Sequence, residues 1–356
     1  MFEQFAGQPG LATAWFLVIG FFWIGYVVLD GFDLGVGMLM GRIFARDDRE
    51  QRVLLNTIGP VWDGNEVWLV TAGAATFAAF PHWYAALFSG LYLPLTLALI
   101  ALILRAVSIE YRGKGSSEAW SRRWNAITAW SSLAIAFLIG ALLSITATGL
   151  PLNDNGDRVG GLLSWLSWQA VLGGLGMVGF CLIHGLAFVA LKTDGPVRER
   201  AGALLVRALP AGVLPLAALV VVVQLATGST LSWLCTCLAV MSVAAAWLAG
   251  TRRREGWSFA GMAGFAALGL LAVFTAMYPA VLPTTLAGAP DLTITSASSS
   301  PYTLTVMTWV AGFGVPFLLA YQSWTYWVFR RRLRAEQLPS GGDHADLTTM
   351  PTRAGA

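Results

Sequence analysis

The sequence predicts an all-α integral membrane protein with nine transmembrane helices. Composition, run length and the placement of basic residues carry that prediction. Hydrophobic residues make up 56% of the 356-residue chain and charged residues 12%, against about 25% charged in a soluble domain. Mean hydropathy is +0.66. The net charge of +3 is small, and no basic run interleaved with aromatics suggests nucleic acid as a partner.

Apolar runs long enough to span, about 20 residues each, fall at roughly 12–40, 56–80, 84–104, 124–149, 162–191, 201–227, 230–250, 258–284 and 303–329. The run at 56–80 contains Asp63 and Glu66, so a hydropathy window can miss it and count eight. Charge decides for nine. With nine spans, the regions 41–55, 105–123, 192–207, 252–254 and 330 onward all face one side, and they hold 21 of the 22 Lys and Arg residues. Only Arg158 lies opposite. Cytoplasmic loops collect Lys and Arg, so the N-terminus is expected outside and the C-terminus in the cytoplasm. Without a span at 56–80 the first basic loop would face the wrong way.

The chain divides into a nine-helix transmembrane domain, 1–337, and a polar tail, 338–356, of disordered composition. Residues 285–302 are Ser/Thr-rich and read as an outside loop. The first residues, MFEQFAGQPG, carry no basic group before the first apolar run and do not read as a cleaved signal peptide. Cys181, Cys235 and Cys237 are too few for a disulfide framework and read as packing. GFDLGVG has no preceding strand, so its glycines read as helix packing rather than a phosphate loop.

Chemistry concentrates in two short stretches. LDGFDLGVG carries Asp30 and Asp33, and GPVWDGNEVWLV carries Asp63 and Glu66 between Trp62 and Trp68. Both share the spacing D-G-x-[D/E], which puts two carboxyls on one helical face. Asp33 is about seven residues from the cytoplasmic end of its run and Asp63 about seven from its own, so both are expected roughly 10 Å inside the boundary. A charge well inside the bilayer costs about 2.5–3.5 kcal/mol even on a lenient scale. Such acids should face a protein interior or a water-filled path and suit proton uptake and release. The structural alternative is pairing with Arg42 or Arg52, or helix capping. Most tryptophans read as interfacial belts or packing.

The blocks GPVWDGNEVWLVTAGAATFAAFP, LDGFDLGVGML, LRAVSIEYR, TAMYPAVLP and LTVMTWVAGFGVPFLLAYQSW resemble the second subunit of bd-type cytochrome quinol oxidases, in that family's order. The middle, 125–260, agrees in hydropathy more than in motif. The resemblance implies two four-helix bundles plus one peripheral helix. It also implies an obligate heterodimer with a haem-bearing first subunit that carries two haems b and one haem d, quinol as substrate, and reduction of O2 to water with generation of proton motive force in a bacterial inner membrane. It leaves room for small single-helix accessory subunits. It associates a proton route with Asp63, joined here by Glu66, Asp30 and Asp33, and an apolar O2 route with the helix of Trp68 and Trp62. Glu66 stands where an amide can occur. Catalytic residues and haem ligands are expected in the partner: of three histidines, His82 and His344 fall outside the spans, and His184 reads as packing or a polar contact. The competing readings are a proton-coupled secondary transporter using the same four acids and a scaffold without catalytic contribution.

Overall fold

A computed structural model describes residues 9–333 apart from 42 and 116. The expected tail, 338–356, lies outside the described residues, as do Arg42 and His344. The fold is helical: α1 (Pro9–Leu39), α2 (Asp48–Ile58), α3 (Trp62–Ala79), α4 (Pro81–Gly90), α5 (Tyr92–Tyr111), α6 (Glu118–Thr148), α7 (Trp168–Lys192), α8 (Pro196–Thr227), α9 (Thr230–Thr251), α10 (Glu255–Met277), α11 (Ile294–Ala297) and α12 (Pro301–Val328). A small antiparallel pair, β1 (Ala280–Leu282) and β2 (Leu292–Thr293), lies in the loop before α11. Among the described residues eight helices, α1, α5 to α10 and α12, are long and apolar enough to cross a membrane.

Three expected spans change. The run at 258–284 leaves the helix after Met277, and Ala280–Leu282 form β1. The other two change more. The run at 56–80 is interrupted between Ile58 and Trp62, where Pro60 lacks the N–H that a continuous helix requires. Its first part belongs to α2, a short amphipathic helix that buries Gln51, Val53, Leu54, Thr57 and Ile58 and is capped by the Asp47 side chain accepting from Glu50 N–H. The third run shifts from 84–104 to Tyr92–Tyr111. Phe80 (φ −135, ψ 70) and Leu91 (φ −110, ψ 26) leave helical geometry and detach α4. Hydropathy cannot register a break among apolar residues, and the sequence reading ended this run at its first charge, Arg105. That residue belongs inside α5, fully buried, and not in a loop.

The ends of the helices sort into two groups. At one end Arg112 donates to Asp48, Arg200 to Glu50, Arg198 to Glu255, and Lys192 to the carbonyls of Phe329 and Arg331. These contacts gather α2, the α5–α6, α7–α8 and α9–α10 turns and the end of α12, which are the regions rich in basic residues. At the other end Leu150 bridges Thr284, and Ser299 donates to the carbonyls of Ala79 and Ala78. Helix α3 therefore starts at the basic end and finishes at the opposite one.

Helix α1 is the axis, packed by α3, α6, α7 and α10. A methyl group at Gly35 would overlap the Cys181 carbonyl, and at Gly25 the Trp68 ring. Gly35 lets α1 lie against α7 at backbone distance, as expected of GFDLGVG, and Gly25 makes room on α1 for the Trp68 ring of α3. Pro210, inside α8, leaves the Val206 carbonyl without its helical donor, and Trp247 Nε1 donates to it at 3.1 Å.

The two-pronged bond between Arg200 and Glu50 (2.6 and 2.8 Å) fastens α2 to α8, with Arg46 N–H also donating to Glu50. The Arg200 guanidinium holds the Glu50 carboxyl below its ordinary value. A depressed native pKa contributes stability that is full above the unfolded value near 4.5 and is lost as pH falls through the native value. Arg200→Ala is expected to cost about 1.5–3 kcal/mol at pH 7 and progressively less below about pH 4. Thermal unfolding in detergent at both pH values checks this. An undiminished loss in acid would assign the effect to lost packing on Phe44 instead.

Candidate functional site: a buried arginine among carboxyls

The site begins with Arg105, which α5 carries into the middle of the helices with no exposed surface. It lies six residues before Tyr111, about 9 Å from that end of α5. Asp33 lies six residues before Leu39 on α1, so the two meet at one level. Nη2 of Arg105 is 3.4 Å from Asp30 Oδ1, and Nη1 pairs with Glu66 Oε1 on α3. Asp30 and Asp33 are fully buried, and the Glu66 side chain keeps 21% exposure. An unpaired buried guanidinium would be prohibitive in so apolar an interior, so the acids and Arg105 explain one another.

Asn65 ties the cluster to the rest of the chain. Its Nδ2 donates to Asp33 Oδ2 at 2.6 Å and to the Leu29 carbonyl at 3.2 Å. Its Oδ1 accepts from Gln322 Nε2 at 2.7 Å and from Tyr326 Oη at 2.9 Å. One amide thus joins α1, α3 and α12 with its donors and acceptor used. Asp33 Oδ1, Tyr26 Oη and Arg105 Nε are buried without a hydrogen-bond partner among the described residues. The cluster is therefore polar beyond what its internal bonds use up. One guanidinium offsets one carboxylate, and the other two carboxyls are places where protons can reside.

The structure brings together three of the four expected acids. Asp63 stands apart, exposed at the second position of α3. Because Pro60 starts a new helix, Asp63 lies at a helix N-terminus, where a carboxylate is favoured by the helix dipole, and nearer the basic end than the expected 10 Å. Glu66 is one turn further in. Of the two arginines weighed as partners, Arg52 pairs with Asp48 at 2.8 Å instead, and Arg42 is outside the described residues. Arg105, Asn65, Gln322 and Tyr326 were missed as site residues. An arginine within LALIALILRAVSIEY was the available signal.

Trp68 is buried in the space left by Gly25, with its ring 5.5 Å from Phe21 and 6.1 Å from Phe22. Trp62 is also buried. His184 is buried with its ring stacked on Phe259 (4.6 Å) and Phe180 (5.1 Å), and Nε2 lies 3.0 Å from the Val28 carbonyl.

Residues 11–329 match the family described as cytochrome bd terminal oxidase subunit II. The chain belongs to that family. It is 35% identical over 334 residues to the cytochrome bd ubiquinol oxidase subunit 2 of Bacillus subtilis, covering 92% of this chain and 98% of that one. It is 32% identical over 366 residues to the cytochrome bd-I ubiquinol oxidase subunit 2 of Escherichia coli K12, covering 92% and 96%. Among solved structures, bd oxidase from Geobacillus thermodenitrificans has the same fold, with a TM-score of 0.72 at 21% identity over 90% of this chain and 98% of that one. The oxidase reading of the sequence stands, and the transporter reading has no support. Subunit II of such an oxidase is a multi-pass membrane protein with a partner subunit I.

The residues here do not fit a haem. Among the described residues His184 is the one histidine inside a span, its ring is covered by phenylalanines on both faces, and a cavity between α1, α6, α7, α8 and α10, lined by Met177 but by no histidine, holds about 50 Å³, far too little for a haem.

Arg105→Leu should leave Asp30 and Glu66 without their cation and cost about 3–5 kcal/mol. Arg105→Lys keeps the charge without the fork and should lose less. Yield and melting temperature of the purified complex compare them, and equal behaviour of the two variants would show that the charge is not what holds the cluster.

Proposed function

We propose that this chain is the second subunit of a membrane oxidase that takes electrons from a quinol and passes them to O2, with protons for water formation drawn from the cytoplasm. Two haems b and one haem d, the quinol site and the redox chemistry belong to subunit I. This chain stabilises that partner and gives protons and O2 access to it. Family membership across residues 11–329 carries the reading.

Nine crossings are supported by the run of α3 from the basic end, where Asp63 lies, to the opposite end, where Ala79 meets Ser299. Helices α1, α3, α5 and α6 then make one four-helix bundle, α7 to α10 the other, and α12 the peripheral helix. The N-terminus is outside and the tail cytoplasmic. With Arg105 withdrawn to the interior, 20 of the 22 basic residues remain in the five regions on the cytoplasmic side. Reporter fusions after Phe329 and within 285–302 should be active on opposite sides of the membrane; the same side for both would remove the nine-crossing arrangement. Small single-helix subunits have room on the exposed faces of α9 and α12.

Protons enter at Asp63, which is exposed, pass one turn inward to Glu66, and reach Asp30 and Asp33 around Arg105. A carboxyl releases and rebinds protons, whereas an amide of the same size does not. Trp68, Trp62 and the phenylalanines of α1 supply an apolar lining suited to O2. Asp63→Asn should leave assembly and haem content intact, because among the described residues no hydrogen bond or ion pair reaches its carboxylate. Steady-state O2 consumption per haem should fall on the order of tenfold or more, and Glu66→Gln should cost less. Wild-type turnover in an assembled Asp63→Asn complex would defeat the proton route, and loss of haem together with the partner would make Asp63 structural.

A further inference from the structure

The buried polar face of α6 is not used by the route through Asp63. From the basic end inward it presents Asn125, Thr128 and Ser132, three and four residues apart, and each is buried. They share one helical face, and beyond Ser132 that face becomes apolar, with Ile135 and Ile139 buried. Two hydrogen-bonded groups lie along it. At the outer end Arg112 Nε donates to Asn125 Oδ1 at 2.6 Å, and Arg112 Nη2 to Asp48 Oδ1 at 2.8 Å. Asn125 Nδ2 donates in turn to Gln51 Oε1 at 2.7 Å. Asp48 is 37% exposed and also pairs with Arg52, so this group opens to solvent. One turn further in, the hydroxyls of Ser108 on α5 and Thr128 on α6 are 2.8 Å apart.

Hydroxyls in membrane helices commonly bond the carbonyl four residues back. Thr128 and Ser131 do so, to Trp124 and Ile127. Ser132 does not. Its Oγ is fully buried without a hydrogen-bond partner among the described residues. It occupies the space that a side chain at Gly37 would fill, with Thr128 also beside that space. Gly37 is one turn from Asp33 on α1, so Ser132 is held at the cytoplasmic edge of the Asp33–Arg105 cluster, where Asp33 Oδ1 also has no hydrogen-bond partner among the described residues.

We propose that Ser108, Thr128 and Ser132 form a second proton-access strip between α5, α6 and α1, running from the Asp48–Arg112–Asn125 group to Asp33 without passing Asp63. It rests on the reading that protons reach the oxygen-reducing centre through this subunit. Each hydroxyl has one proton to donate and lone pairs to accept another, with those of Ser108 and Thr128 resting on the Arg105 and Trp124 carbonyls, so a proton taken on one oxygen is matched by release of another from the same oxygen, with no net change of the strip. Arg112 stays charged throughout and acts as a positioning residue that, balanced by Asp48, orients Asn125 at the mouth.

The test compares purified complexes by quinol-driven O2 consumption per haem: wild type, Asp63→Asn, Thr128→Val, and the two substitutions combined, with Thr128→Ser as the variant that keeps the hydroxyl. Expected are residual turnover in Asp63→Asn, a further loss of at least about fivefold on adding Thr128→Val, and its recovery on adding Thr128→Ser instead. Ser132→Ala, which removes a hydroxyl that holds nothing in the fold, should act as Thr128→Val does and covers the case in which the valine complex does not assemble. No residual turnover in Asp63→Asn, or combined variants no slower than Asp63→Asn alone, would overturn the strip. If Asp63→Asn turns over like wild type while Thr128→Val or Ser132→Ala is slow, the Asp63 route fails and the strip stands. If every variant turns over like wild type, both fail.

Discussion

Everything near the functional end of this subunit follows from one constraint: a guanidinium that cannot lose its proton sits where water does not reach. Arg105 has no exposed surface, so the helices around it must deliver negative charge. Asp30 comes from α1 and Glu66 from α3, with Asp33 held beside them by Asn65. The packing of α1, α3 and α5 is thereby registered at one level, because a shift of one residue along any of them would separate charge from countercharge. Helix α12 joins the same arrangement through Gln322 and Tyr326. A helix with little buried surface in its apolar window is thus tied to the centre by two bonds to one amide.

Under the proposed proton route, the same cluster links structure to the oxidase activity. A group of acids held by a single cation is stable with protons on some of its members, and its charge can change by proton exchange without unpacking the helices. Asp63 has the opposite character, since it is exposed and removed from the cluster. Its position at the start of α3 depends on Pro60, so the interruption that made the second run look doubtful as a span also places an acid at the surface. The short helix α2 lies at this end, secured by Arg112 through Asp48 and by Arg200 through Glu50, so the surface around Asp63, where the proposed proton route opens, is itself a fixed part of the fold.

Much was legible in the chain. Apolar runs of spanning length, with their basic residues on alternate connections, revealed a helical membrane protein, because the energetics of the bilayer act on composition and length directly. Acids within such runs stood out for the same reason, and the D-G-x-[D/E] spacing correctly put Asp30 and Asp33 on one buried face. The ordered blocks around those acids carried the family. The breaks at Leu91 and within the second run were less visible, since apolar residues on both sides of a break have the same hydropathy as those in a continuous helix.

What the sequence by itself determined is which residues are anomalous for a membrane interior; what only the tertiary structure decided is how the anomalies cancel. Arg105 was read as the edge of a loop because a charge ends an apolar run, and nothing local to α5 says that acids 39 and 75 residues away in the chain will surround it. Asn65 looked like part of a motif, and its four bonds exist only once α1, α3 and α12 meet. Asp63 and Glu66 were placed on one helical face by their spacing, yet one faces solvent and the other Arg105. Helical periodicity gives the angle between two side chains, but what lies at each angle is set by neighbouring helices that are distant in sequence.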